Sequence, residues 1–63
     1  MNHSFFVECE FNGQWIDTGS AEKLEAAISL ANIAVAFYKV PTRVLGLQEE
    51  IPLVQLTPDE LFN

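Results

Sequence analysis

Residues 4–18 read SFFVECEFNGQWIDT, and this stretch decides the fold. Its first half alternates in the manner of a strand, with one face formed by Phe5, Val7, Cys9 and Phe11. The opposite face carries Phe6, Glu8 and Glu10. Asn12-Gly13 then supplies the strongest short-range signal for a type I′ turn. The stretch therefore predicts a β-hairpin over residues 4–18.

The register of this hairpin decides where Trp15 lies. A two-residue Asn-Gly loop pairs Phe11 with Gln14 and leaves Trp15 and Asp17 on the face of Glu8 and Glu10. A slip of one residue or a β-bulge places Trp15 on the core face instead. Both arrangements are compatible with the sequence.

Helical periodicity follows over residues 21–38, with Ser20 as the start signal and Pro41 as the stop. One apolar stripe is expected to pack on the sheet and comprises Leu24, Ala27, Ile28, Ala31, Ala34, Val35 and Tyr38. A second apolar set, about 120–180° away by helical periodicity, comprises Ala26, Leu30, Ile33 and Phe37. We call this second set the helix stripe. A helix with two apolar faces is typical of a helix that is covered on two sides. This short chain has few residues left to cover the second side of the helix.

Strands are predicted over residues 41–47 and 51–57, followed by a short tail over 58–63. The expected fold class is α+β: a single domain over residues 1–63 with ββαββ order. A four-stranded, mainly antiparallel sheet carries one helix on one face.

Composition restricts the function. Nine acidic residues against three basic ones give a net charge of −6, which excludes direct nucleic-acid binding and disfavours an anionic membrane surface. A basic or nucleic-acid-binding protein is the partner that this charge favours. His3 and Cys9 are the only residues of their types, so we expect no metal, no cofactor and no catalytic set. The chain start lacks a signal-peptide pattern, and a cytoplasmic location is expected.

Two candidate surfaces result. The helix stripe predicts self-association, because soluble monomers rarely expose a large apolar patch. The hairpin face that carries Glu8 and Glu10 predicts a partner-binding surface, on which tryptophan is a common anchor. Its candidate residues are Glu8, Glu10, Trp15, Asp17 and Arg43.

The layout resembles that of small phage and bacterial ββαββ proteins, some of which inhibit host enzymes such as RNA polymerase. The matching positions are Trp15, Leu24, Ala27, Leu30, Ala31 and Thr42-Arg43-Val44. The resemblance implies a phage or mobile-element inhibitor of a host or defence protein. The helix stripe adds the expectation of a homodimer, and the missing catalytic set adds that of a non-enzymatic protein. Two alternatives stay open: an acidic nucleic-acid mimic that occupies a basic groove, and a dimer that binds a small molecule at its interface.

Overall fold

The computed structural model describes residues 4–47 and 51–59. In chain order the elements are β1 (Phe5–Phe11), β2 (Gln14–Ala21), α1 (Leu24–Tyr38), β3 (Thr42–Gly46) and β4 (Val54–Leu56). The four strands form one antiparallel sheet in the order β2-β1-β3-β4, with α1 packed on one face. This confirms the predicted α+β fold. The predicted tail lies outside the described residues from position 60 onward.

The hairpin has the two-residue turn that its sequence predicts. Asn12 and Gly13 both have positive φ, 52° and 82°, and Phe11 pairs with Gln14 across the turn. This register pairs Trp15 with Glu10 and places both on the sheet face away from α1. Of the two arrangements compatible with the sequence, the structure has the one with Trp15 off the core face.

A β-bulge does interrupt the hairpin, but it comes after Trp15. Asp17 lies opposite Glu8 while Gly19 lies opposite Val7, so Thr18 is the extra residue. Beyond the bulge β2 continues to Ala21, which pairs with Phe5 and is buried. Because the strand continues to position 21, its predicted end at residue 18 was too early.

The helix accordingly begins at Leu24, three residues after the predicted start at 21. Ser20 pairs with Phe6 in the sheet and is not available as the N-cap. Lys23 occupies that position without a side-chain capping hydrogen bond, and its carbonyl accepts the first helical bond from the Ala27 N–H. The end at Tyr38 agrees with the prediction: Lys39 takes a left-handed conformation and donates its N–H to the Val35 carbonyl.

The core between α1 and the sheet consists of small side chains. Val7 faces Val44 and Cys9 faces Thr42 across β1 and β3, and all four are buried. The helix contributes Ala27, Ala31, Ala34 and Val35. The alanines let the helix approach the sheet closely, and they leave the larger apolar side chains of α1 at its sides.

The last two strands are shorter than predicted: residues 42–46 in place of 41–47, and 54–56 in place of 51–57. Pro52 has no N–H to donate, so regular pairing begins after it. Leu53 then donates its N–H to the Val44 carbonyl at 2.8 Å and leads into β4.

Candidate functional site

The sheet face away from α1 brings the five predicted partner-binding residues onto three neighbouring strands. We call this the open sheet face, and it carries Glu8, Glu10, Trp15, Asp17 and Arg43. Glu8 lies in the middle, with Asp17 opposite it on β2 and Arg43 opposite it on β3. Trp15 pairs with Glu10 one step further along.

Arg43 contacts two other residues of the open sheet face. Its Nε and Nη2 both lie against the same oxygen of Glu8, at 2.8 and 2.7 Å. Its guanidinium carbon is 4.0 Å from the centroid of the Trp15 ring. The guanidinium is planar and weakly hydrated, so it can stack on an indole while its edge donates to a carboxylate.

These contacts change the predicted character of the face. The positive charge of Arg43 offsets Glu8, so Glu10 and Asp17 are the carboxylates outside this ion pair. Asp17 also accepts a hydrogen bond from the Gly19 N–H at 3.0 Å, which holds its side chain at the bulge. The open sheet face therefore carries a half-buried Trp15 with acidic neighbours. Its charge is less uniformly negative than the composition of the chain predicts.

The helix stripe lies at the surface. Phe37 is 76% exposed, Ile33 is 65% exposed and Leu30 is 39% exposed, and Ala26 is exposed beside them. Leu30 lies on the side of α1 toward β2, where its Cδ1 atom would be 3.8 Å from a Cβ atom added at Gly19. Three large apolar side chains of one helix face are therefore in contact with solvent.

A shallow apolar groove of about 200 Å³ runs between the helix stripe and β2. Its lining consists of Val7, Thr18, Leu30, Ile33, Ala34, Phe37 and Tyr38. The Thr18 hydroxyl donates a hydrogen bond to the Val7 carbonyl at 3.3 Å. No sequence pattern indicates that Thr18 lines the groove, because its place there depends on the bulge.

Three aromatic rings are in successive contact at one end of this groove. The Phe37 and Tyr38 rings meet edge to face with centroids 5.0 Å apart, and Tyr38 meets Phe11 in the same way at 5.3 Å. The periodicity assigned Tyr38 to the sheet-facing stripe, and 45% of it is exposed. It links exposed Phe37 to the sheet. Such edge-to-face pairs each contribute about 0.5–1.5 kcal/mol beyond burial.

Cys9 is fully buried and its Sγ lies 3.3 Å from the Thr42 hydroxyl, which donates to the Val40 carbonyl. It is a core residue, as its alternation with Phe5 and Val7 predicts. Within residues 4–47 and 51–59, no group of three or more His, Cys, Asp or Glu side chains is placed to hold a metal ion. His3 lies outside those ranges. No helix among the described residues is both long enough and apolar enough to span a membrane.

Comparisons with known proteins do not place this chain in a family. No family model matches it, and no curated protein or solved structure matches it significantly.

Proposed function

We propose that this protein is a non-enzymatic protein-binding module that acts as a homodimer and binds a foreign protein through its open sheet face. The exposed helix stripe carries this proposal. Three large apolar side chains in one row, beside an apolar groove, are a surface that a protein contact would remove from water.

The composition of the core supports self-association. The largest fully buried side chains of the described residues are Val7, Val35, Val44, Thr42 and Cys9, with no Leu, Ile or Phe among them. A short chain with so small a core gains little from its own burial, and association is a common source of the missing stability. Burying Ile33 and Phe37 in a dimer would contribute about 1.5–3 kcal/mol for each side chain.

The open sheet face suits a different partner. Trp15 is held by Arg43, so binding costs little side-chain entropy, and tryptophan and arginine are over-represented among residues that dominate binding energy. Glu10 and Asp17 flank this anchor, and the net charge of −6 favours a basic partner over an acidic one. The resemblance to small phage inhibitors favours a host or defence protein as the target and inhibition as the outcome.

Sedimentation equilibrium tests the homodimer. The wild type should be dimeric at high micromolar concentration, and Ile33→Glu should be monomeric because a carboxylate would be buried at the interface. Asn32→Glu is the matched control: it adds the same charge at an exposed position about 100° away on α1 and should stay dimeric. Circular dichroism should show all three folded. A wild type that remains monomeric at these concentrations overturns the homodimer.

Capture from a lysate of the native host tests the open sheet face. Wild type, Trp15→Ala and Gln14→Ala are immobilised in parallel, since Gln14 is the exposed neighbour of Trp15 on β2. A partner retained by wild type and Gln14→Ala but lost with Trp15→Ala supports the proposal. Equal capture by all three variants contradicts it. Release of the partner by duplex DNA, with steep salt dependence, identifies a nucleic-acid mimic instead.

A further inference from the structure

We propose that the helix stripe is covered by the same stripe of a second copy, with the two helices antiparallel and Phe37 of one protomer against Ala26 of its partner. The inference rests on the proposed homodimer and assigns the surface and register by which it forms. It does not involve the open sheet face.

The spacing of the stripe indicates a helix as its occupant. Ala26, Leu30, Ile33 and Phe37 follow one another at intervals of four, three and four residues. This is the seam spacing of coiled coils, in which apolar residues alternate three and four apart. Two such seams pack at a crossing angle of about 20°. The 15 residues of α1 provide a seam about 20 Å long.

The sizes of the side chains select the orientation. The smallest member, Ala26, lies near the start of α1, and the largest, Phe37, lies near its end. In an antiparallel pair centred between Leu30 and Ile33, Ala26 faces Phe37 and Leu30 faces Ile33. A parallel pair would place Ala26 against Ala26, leaving a void, and would crowd two Phe37 rings together.

The helix dipole agrees with this orientation. Glu25 is the acidic residue of the first turn of α1, and its position on the helix is about 100° from Ala26. The seam itself is uncharged, so no like charges meet across the two-fold axis. The last turn of α1 has no basic residue, and the Lys23 N-cap makes no side-chain bond. Antiparallel packing brings the positive start of each helix dipole beside the negative end of the other.

The available area predicts a moderate affinity. The exposed parts of Leu30, Ile33 and Phe37 amount to roughly 350 Å², taking about 200 Å² for a large side chain. Stable interfaces bury about 800 Å² per partner, so the rest of the area must come from residues beside the stripe, such as Tyr38 and Thr18. The Phe37 ring contacts Tyr38 edge to face, and a contact that restricts a side chain before binding lowers the entropic cost of docking. We therefore expect a micromolar dimer.

A size exchange tests the register. Ala26→Phe and Phe37→Ala should each weaken dimerisation by about tenfold or more, through crowding and through a void. The double variant A26F/F37A restores one large and one small residue at each contact and should return the dissociation constant to within about threefold of wild type. The control A36F/F37A places the phenylalanine at exposed Ala36, away from the stripe, and should not be restored.

Disulfide formation provides a second measurement. Mixed Ala26→Cys and Phe37→Cys proteins should give a crosslinked heterodimer under oxidation, whereas Ala26→Cys alone should not crosslink. Buried Cys9 should leave the wild type uncrosslinked. Crosslinking of Ala26→Cys with itself would establish the parallel arrangement and overturn the proposal.

The outcomes separate this inference from the proposed function. A dimeric wild type whose double variant stays weakened overturns the register and leaves the homodimer standing. A dimer that survives Ile33→Glu overturns the use of the stripe altogether. A monomeric wild type overturns both.

Discussion

Arg43 and Trp15 lie on strands separated by β1, yet the guanidinium carbon of Arg43 is 4.0 Å from the Trp15 ring centroid. Between the two strands Arg43 also contacts Glu8, at 2.7 Å from Nη2 to Oε1. One side chain thus joins β3 to β1 and β2 on the open sheet face. Its role in stability and its proposed role in binding can be measured separately.

The Glu8–Arg43 pair should contribute measurable coupling. In a double-mutant cycle with Glu8→Gln and Arg43→Met, we expect a coupling free energy of about 1 kcal/mol, at the upper end for exposed pairs. The side chains are only 22% exposed, which limits screening by solvent. Urea denaturation followed by the fluorescence of Trp15, the single tryptophan, provides the measurement. Replacing Arg43 by Met should destabilise Glu10→Gln as much as wild type; coupling to Glu10 of equal size would contradict the pairing.

Gly13 in the hairpin turn and Gly19 in β2 should respond differently to replacement by alanine. Gly13→Ala should lower the free energy of unfolding by about 1 kcal/mol, because Gly13 has φ of +82°. Gly19→Ala should be neutral or stabilise by up to about 0.5 kcal/mol, since its new Cβ would meet Leu30 at an ordinary 3.8 Å. Denaturation of both variants gives the comparison, and a Gly19→Ala loss as large as that of Gly13→Ala would contradict the structure.

The close contact between helix and sheet predicts a steric limit at Ala27. Ala27→Leu should cost about 1–3 kcal/mol, because Ala27 is fully buried against the sheet and the added atoms have no space. Ala36→Leu makes the same change at an exposed position of the same helix and should alter stability by less than about 0.5 kcal/mol. Thermal unfolding distinguishes them. Equal tolerance of leucine at both positions would mean that α1 does not pack as described.

Cys9 should be protected from thiol reagents in the folded protein. Its side chain is fully buried beside Thr42, so modification requires unfolding. The rate of reaction with a disulfide reagent should be very slow in buffer and rise with urea in parallel with the unfolded fraction. Rapid stoichiometric labelling without denaturant is the result that would contradict this burial.

Local pattern predicted the hairpin, the helix and the class of fold. Alternation over Phe5–Phe11 and the Asn12-Gly13 turn determine β1 and the pairing of Phe11 with Gln14. The start of α1 was predicted three residues too early because Ser20 has the chemistry of an N-cap but pairs with Phe6 instead. The propensity of a residue indicates which local structures it can adopt, and its pairing in the sheet determines which of these structures forms.

Some features of the candidate surfaces were likewise predicted from the sequence, and others were not. Helical spacing alone identified Leu30, Ile33 and Phe37 as a separate stripe, and the structure places all three at the surface. The groove beside them was not predicted, because Thr18 reaches it through a bulge that has no sequence signature. The stacking of Arg43 on Trp15 was missed for a related reason, since 28 positions separate them in the chain.

The sequence by itself therefore determined the kinds of element, their order and the separate helix stripe, because side-chain periodicity is a property of neighbours along one strand or helix. It assigned Leu24 and Tyr38 to the sheet-facing stripe, whereas both are exposed at the ends of α1. Only the tertiary structure decided the strand order β2-β1-β3-β4, the bulge at Thr18 and the Glu8–Arg43–Trp15 cluster. Those features depend on which strands pair and in what register. Pairing is set by burying Val7, Cys9, Thr42 and Val44 together under α1, and residues distant in the chain meet only once that core has formed.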